Sequence, residues 1–210
     1  MTDSASQALS ILRDTSNFEW YVIPFLLVVI YIYHNEIRLK NYSAVFAGLA
    51  LWGCDWFNEI WNALVFHFTQ YAPVWGTPGD SAYVILIGLN IEISLMFLLM
   101  GVACTIILPE DRKLKILGIP NRLFFAVVFT TLAVIVEIIL NAIGALTWEY
   151  SWWSARFPWL LWIFGYFYFF VVAYLVYDMR TIRAKAITVG AIFAVDIASL
   201  VIFMGVLGWI

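Results

Sequence analysis

Six stretches of this chain, at about 18–36, 43–68, 82–108, 121–146, 157–177 and 183–210, are almost wholly apolar over the roughly 20 residues that a helix needs to cross hydrocarbon. They leave residues 1–17 as an extracytoplasmic segment and no room for a soluble domain. The expected architecture is therefore all-α, a single bundle of six transmembrane helices over residues 18–210. Composition agrees, at 64% hydrophobic and 12% charged residues. The first stretch has no basic run before it and no small-residue cleavage pattern after it, so it reads as a retained span. Residues 4–13 could form a short interfacial helix with Ala5, Leu9 and Leu12 on one side.

Positive charge sets the expected orientation. The connections 37–42, 109–122 and 178–185 hold Arg38, Lys40, Arg112, Lys113, Lys115, Arg122, Arg180, Arg183 and Lys185, against only Arg13 and Arg156 on the other side. Such an imbalance places those connections in the cytoplasm and both termini outside, in a plasma or inner membrane. The net charge of -3 gives no reason to invoke nucleic acid, and the basic residues are explained by topology. Cys54 and Cys104 lie within spans without CxxC spacing and read as small packing residues.

Against this apolar background stand five carboxylates, Asp55, Glu59, Glu92, Glu137 and Asp196, with no Lys or Arg at their depth. An ionisable group within the membrane costs roughly 2.5–3.5 kcal/mol on insertion scales, faces a bundle interior, and marks a functional site. Without cations, such acids should hold their protons, because lost hydration disfavours the charged form. Span two concentrates them. Trp52, Asp55, Asn58, Glu59 and Asn62 fall on one helical face, with Trp56 beside them. Span four repeats the pattern more sparsely, with Glu137, Asn141, Gly144 and Trp148 following one face. Spans three and six are expected to bring Asn90, Glu92 and Asp196 near the membrane middle.

Tryptophans crowd the same outer half, and the connection 147–158, with Trp148, Tyr150 and Trp153, reads as a lid over a cavity. Tyr166 lies in the aromatic fifth span. A structural reading has each protonated acid sharing hydrogen bonds with a neighbouring Asn, Glu59 with Asn62 and Glu137 with Asn141. A metal site is poorly served, since only His34 and His67 exist and no Glu-x-x-His occurs. Nor is a cofactor called for: paired intramembrane His for haem and a mid-span Lys for a retinal-type Schiff base are both absent.

Two classes remain. Neutral acids beside aromatic faces can protonate an alkene or epoxide and steady the resulting cation, with Glu59, Asp196, Glu137, Asp55 and Glu92 as candidate catalytic residues. Trp52, Trp56, Asn58, Asn62, Asn90, Asn141, Trp148, Tyr150, Trp153 and Tyr166 are then the candidate substrate-binding residues. Acids at this depth also serve proton relays and ion sites, so a proton- or cation-coupled transporter, acting as a homo-oligomer, is the alternative. A non-catalytic membrane subunit is a third class.

Glu59 in its aromatic setting, with Asp196 in Phe-Ala-Val-Asp-Ile-Ala on the last span, resembles the two essential acids of the small integral-membrane terpene cyclases of meroterpenoid pathways. The run Glu137-x3-Asn141-x2-Gly144-x3-Trp148-x-Tyr150 is similar to motifs in membrane carotenoid-modifying enzymes. Both resemblances imply an apolar, isoprenoid substrate, with no metal or other cofactor, and cyclisation, isomerisation or hydration as the chemistry.

Overall fold

A computed structural model describes every residue except Asn17. Helix α1 (Asp3–Ser10) is followed by α2 (Val22–Arg38), α3 (Tyr42–Thr69), α4 (Ile91–Ile106) and α5 (Asn121–Ala142). Helix α6 (Tyr168–Asp178) continues directly from a π-helical segment, Leu161–Phe167, and α7 (Ile182–Leu200) runs on into a second, Val201–Val206. Polar caps start several of them. Asn41, Asn90 and Thr181 each accept a backbone N–H from the first turn of α3, α4 and α7. Pro24 sits in the first turn of α2, where its missing N–H breaks no helical bond.

By length and composition, three of these helices can cross a membrane: Asn121–Ala142, Leu161–Asp178 and Ile182–Val206. The remaining segments of the expected six fall outside that measure. Helices α2 and α4 are 17 and 16 residues long, and α3, at 28 residues, carries a polar face that lowers its hydropathy. The place of α3 explains why that face is tolerated. It packs against α4, α6 and α7, and its Asp55, Asn58, Glu59 and Asn62 are buried, so the polar face meets protein while Phe57 and Trp61 stay exposed. Its Ala47, Leu51 and Cys54 meet Phe97 and Cys104 of α4 and Phe169, Phe170 and Tyr174 of α6 in the main core. The aromatic fifth segment is thus partly core and partly exposed, with Phe170 fully buried and Phe164 outward.

The two ends of the bundle differ in chemistry. At one end Asp178 pairs with Arg112 and Arg122, each at 3.0 Å, joining the 109–120 connection, α5 and α6. The buried Lys185 caps the end of α6 through the carbonyls of Val176 (2.8 Å) and Tyr177. That connection holds a short antiparallel pair, β4 (Lys115–Ile116) with β5 (Ile119–Pro120).

The other end is closed by a cap that departs from the all-α expectation. Residues 82–90 are not helical: β2 (Val84–Leu86) and β3 (Leu89–Asn90) form a hairpin, and β1 (Trp75–Gly76) pairs with β6 (Thr147–Trp148) across 71 residues of chain. Helix α1 belongs to this cap, burying Ala5 and Ala8 while Leu9 stays largely exposed. Ser4 bonds Glu149, Thr2 N–H reaches the carbonyl of Tyr71 (3.1 Å), and Arg13 N–H that of Val84 (2.9 Å). Beyond α1, Asp14 accepts from the N–H and hydroxyl of Ser16, and these bonds hold its carboxyl below the usual carboxylate range.

Candidate functional site

Asp55, Glu59 and Glu137 line one cavity beneath the cap, together with Asn58, Trp75, Trp153 and Tyr166. The three acids are 2%, 3% and 5% exposed, so their carboxyls are removed from bulk water. The cavity measures about 40 Å³. At ~10–15 Å³ of such volume per water, it has room for a few waters.

Tryptophan side chains of the cap hold two of the acids. Trp75 Nε1 donates to Glu59 Oε1 at 2.8 Å, and Trp148 Nε1 donates to Glu137 Oε1 at 3.0 Å. These two tryptophans face each other across the β1–β6 pair. Each is brought there by an asparagine one turn past the acid. Asn62 accepts from the N–H groups of Val74 (2.7 Å) and Trp75 (3.3 Å) and donates to the Trp75 carbonyl (2.7 Å). Asn141 donates to the Leu146 carbonyl at 3.0 Å. The sequence places Asn62 and Asn141 as substrate contacts or as partners of the acids; the structure uses them to fasten the cap.

Local chain geometry makes this possible. Helix α5 ends at Ala142, and Gly144 takes a left-handed φ of +79°, which turns the chain back toward the helix end. Trp148 therefore reaches Glu137 from a strand and not by continuing a helical face. Gly88, in the β2–β3 turn, leaves room for the Trp75 indole: a Cβ there would lie 2.6 Å from Trp75 Cδ1 and 2.4 Å from Asn62 Nδ2. Trp153 stacks on Trp75 at 5.2 Å and 25°, completing the aromatic roof.

Beside this cavity lies an apolar groove of about 610 Å³, walled by Phe57, Trp61, Trp152, Ile163, Phe164 and Phe167. Asn58 and Trp153 belong to both spaces. Asn58 Nδ2 donates to the Phe164 carbonyl at 2.8 Å, within the π-helical segment, and its Oδ1 accepts from the Tyr168 hydroxyl at 2.6 Å. π-Helical turns recur at functional sites because their wider register reshapes one helix face.

The other sequence candidates lie elsewhere. Asp196 is 4% exposed with neither oxygen bonded among the described residues, but it sits where α7 meets α3 at Gly53 and does not line the cavity, so it does not face Glu59 and Glu137 across it. Glu92 and Asn90 are not at mid-helix, because α4 starts only at Ile91. Asn90 is its N-cap, and Glu92, in the first turn, accepts from Ala82 N–H (2.7 Å) and the Tyr21 hydroxyl. Trp52 donates to Ser94 Oγ at 2.9 Å, and Trp56 packs edge-on to it. Tyr150 donates to the Ala72 carbonyl at 2.9 Å and ties the two cap loops together. Trp75, absent from the sequence candidates, is the main residue missed. Its signal was the repeated order of acid, asparagine and then a loop tryptophan after both α3 and α5.

Both ion pairs found among the described residues use Asp178, so none involves a cavity acid. No group of three or more His, Cys, Asp or Glu among the described residues is placed to hold a metal ion.

Comparison with known proteins gives a family and no activity. Residues 2–205 match a family described as an uncharacterized membrane protein family. A protein of Archaeoglobus fulgidus is 61% identical over 209 residues, covering 100% of this chain and 99% of its own length. A second protein of that organism is 53% identical over 53 residues, which is 25% of this chain and 95% of that protein. Both carry the description "Uncharacterized protein". No solved structure matches.

Proposed function

The chain belongs to this membrane protein family, and from that premise we propose that it is an integral-membrane enzyme that performs acid–base chemistry on an apolar, isoprenoid-like molecule. The observation that carries this reading is the shared wall: Asn58 and Trp153 separate buried carboxylic acids from an aromatic groove of about 610 Å³. The apolar body of the substrate lies in the groove, and its reacting end passes between Asn58 and Trp153 to the acids. Glu59, protonated, adds its proton to an alkene or epoxide. The cation that forms is stabilised by the faces of Trp75, Trp153 and Tyr166. Glu137 or Asp55, as carboxylate, then takes a proton from a neighbouring carbon, so the step is redox-neutral and one proton enters as one leaves. Asp196, the second acid of the terpene-cyclase resemblance, is assigned no part at this cavity.

In this reading the six segments all span the bilayer, the short α2 and α4 being completed by flanking cap and connection residues. The basic end lies in the cytoplasm, and the cap with both termini lies outside. Lipid extraction of the purified protein, followed by mass spectrometry, tests the substrate class. A co-purifying isoprenoid that is converted by wild type and not by Glu59→Gln supports the proposal.

The small free volume of the acid cavity favours a second reading, a proton path, since that space suits water-sized species. Liposome flux decides between the two. Gradient-driven proton flux that disappears in Glu59→Gln would replace the enzyme reading with transport.

A further inference from the structure

The two acid–tryptophan bonds are the same device built twice, and its chemistry reaches further than holding a roof in place. We infer that Trp75 and Trp148 are positioning residues that fix which oxygen of Glu59 and of Glu137 exchanges the proton. An indole N–H can only donate. Glu59 Oε1, 2.8 Å from Trp75 Nε1, and Glu137 Oε1, 3.0 Å from Trp148 Nε1, are therefore acceptors whether the acid is neutral or ionised. The carbonyl oxygen of a neutral carboxyl is a stronger acceptor than its hydroxyl oxygen, so when either acid is neutral the indole favours Oε1 as the carbonyl oxygen and the proton on Oε2. For Glu59 that second oxygen is buried and without a hydrogen-bond partner among the described residues, in the wall of the cavity.

The donors are not free to wander. Trp75 is stacked on Trp153, its backbone is gripped by Asn62 on both sides, and its ring lies against Gly88. The cross-strand pairing of Trp75 with Trp148 makes the two clamps one unit, so both acids are aligned by a single piece of the cap. Proton transfer at each acid is thereby confined to one atom, which is the preorganisation that general acid–base catalysis requires. The inference rests on these acids being the working groups of the proposed site. It is independent of the substrate and of the choice between catalysis and transport.

The test needs no substrate. Infrared spectra of the protein reconstituted in lipid and held at low pH, where both acids carry their protons, should contain protonated-carboxyl C=O bands, one of which is lost in Glu59→Gln and another in Glu137→Gln. Trp75→Phe should move the Glu59 band to higher frequency, as its carbonyl loses the donor, and leave the Glu137 band in place; Trp148→Phe should do the converse. An unmoved Glu59 band in Trp75→Phe, or no band lost in Glu59→Gln, overturns the assignment. So does the movement of both bands together in each single variant, which would signify a loosened cap and not two specific bonds. Should the tryptophan variants fail to fold, indole ¹⁵N–¹H spectra of wild type and Glu59→Met serve instead. The Trp75 resonance is expected to shift and that of Trp148 to stay, and an unshifted Trp75 resonance overturns the inference. Failure of the lipid-extraction test with these shifts intact would reject the substrate proposal alone.

Discussion

Glu59 is the residue at which burial, a fixed donor and an unpartnered oxygen coincide. Glu59→Gln keeps the side-chain shape and still offers Trp75 a carbonyl, so expression and thermal stability should match wild type. Turnover of the molecule recovered by lipid extraction should fall by about 10²-fold or more, the range for loss of a general acid; unchanged turnover rules out proton chemistry at this position. Gly88 is a sharper probe of the surroundings. A methyl group there would overlap Asn62 and the Trp75 ring, which is itself held by Trp153, so neither neighbour can yield cheaply. Gly88→Ala should cost about 1–3 kcal/mol through overpacking and shift the tryptophan fluorescence, both read in one thermal melt. Asn62→Ala should cost a similar amount, because Val74 and Trp75 N–H lose their acceptor in a buried setting.

Among the elements, α3 organises the rest, and its crossings explain why it can carry a polar face. Where α3 meets α4, Gly48 and Gly101 bring the backbones together: a Cβ on Gly101 would lie 2.7 Å from Gly48 Cα and 2.8 Å from its carbonyl oxygen. Backbone atoms cannot move aside as a flexible side chain can, and small residues at such crossings are how membrane helices pack closely. Gly101→Ala should therefore lower the melting temperature in detergent clearly. Gly190→Ala, in α7 with nothing within 4 Å of the new methyl, should be neutral or raise it, since alanine is the better helix former. Equal effects of the two substitutions would mean that the α3–α4 crossing is looser than described.

At the scale of the molecule, the cap and the basic end give the bundle two chemically different faces. Cys54 and Cys104 are both buried, so introduced cysteines can be read against a silent background. In intact recombinant cells, an impermeant thiol reagent should label Ser151→Cys in the cap and reach Lys113→Cys only after permeabilisation. Labelling of position 113 from outside would invert the proposed orientation. The same cap ties residues near the N-terminus to the loops after α3 and α5, so it should resist proteolysis as one unit when the protein is intact.

Apolar length and charge placement are local properties, which is why the helical membrane character, the positions of the long helices and the weight of acids on α3 and α5 were legible in the sequence. Hydropathy could not separate the β2–β3 hairpin from the start of α4, because Val84, Leu86 and Leu89 are as apolar as a helix and are buried for a different reason. Helical periodicity found Asp55, Glu59 and Glu137 but could not bring them together, since that depends on which faces of α3 and α5 turn inward. Trp75 was out of its reach altogether. It meets Glu59 only because a loop folds back onto Asn62 and pairs with a strand 71 residues further along the chain, and such non-local contacts leave no periodic trace. Asp196 shows the converse: its place inside the bundle could be read from the chain, while its absence from the cavity wall was decided by the side of α3 against which α7 packs.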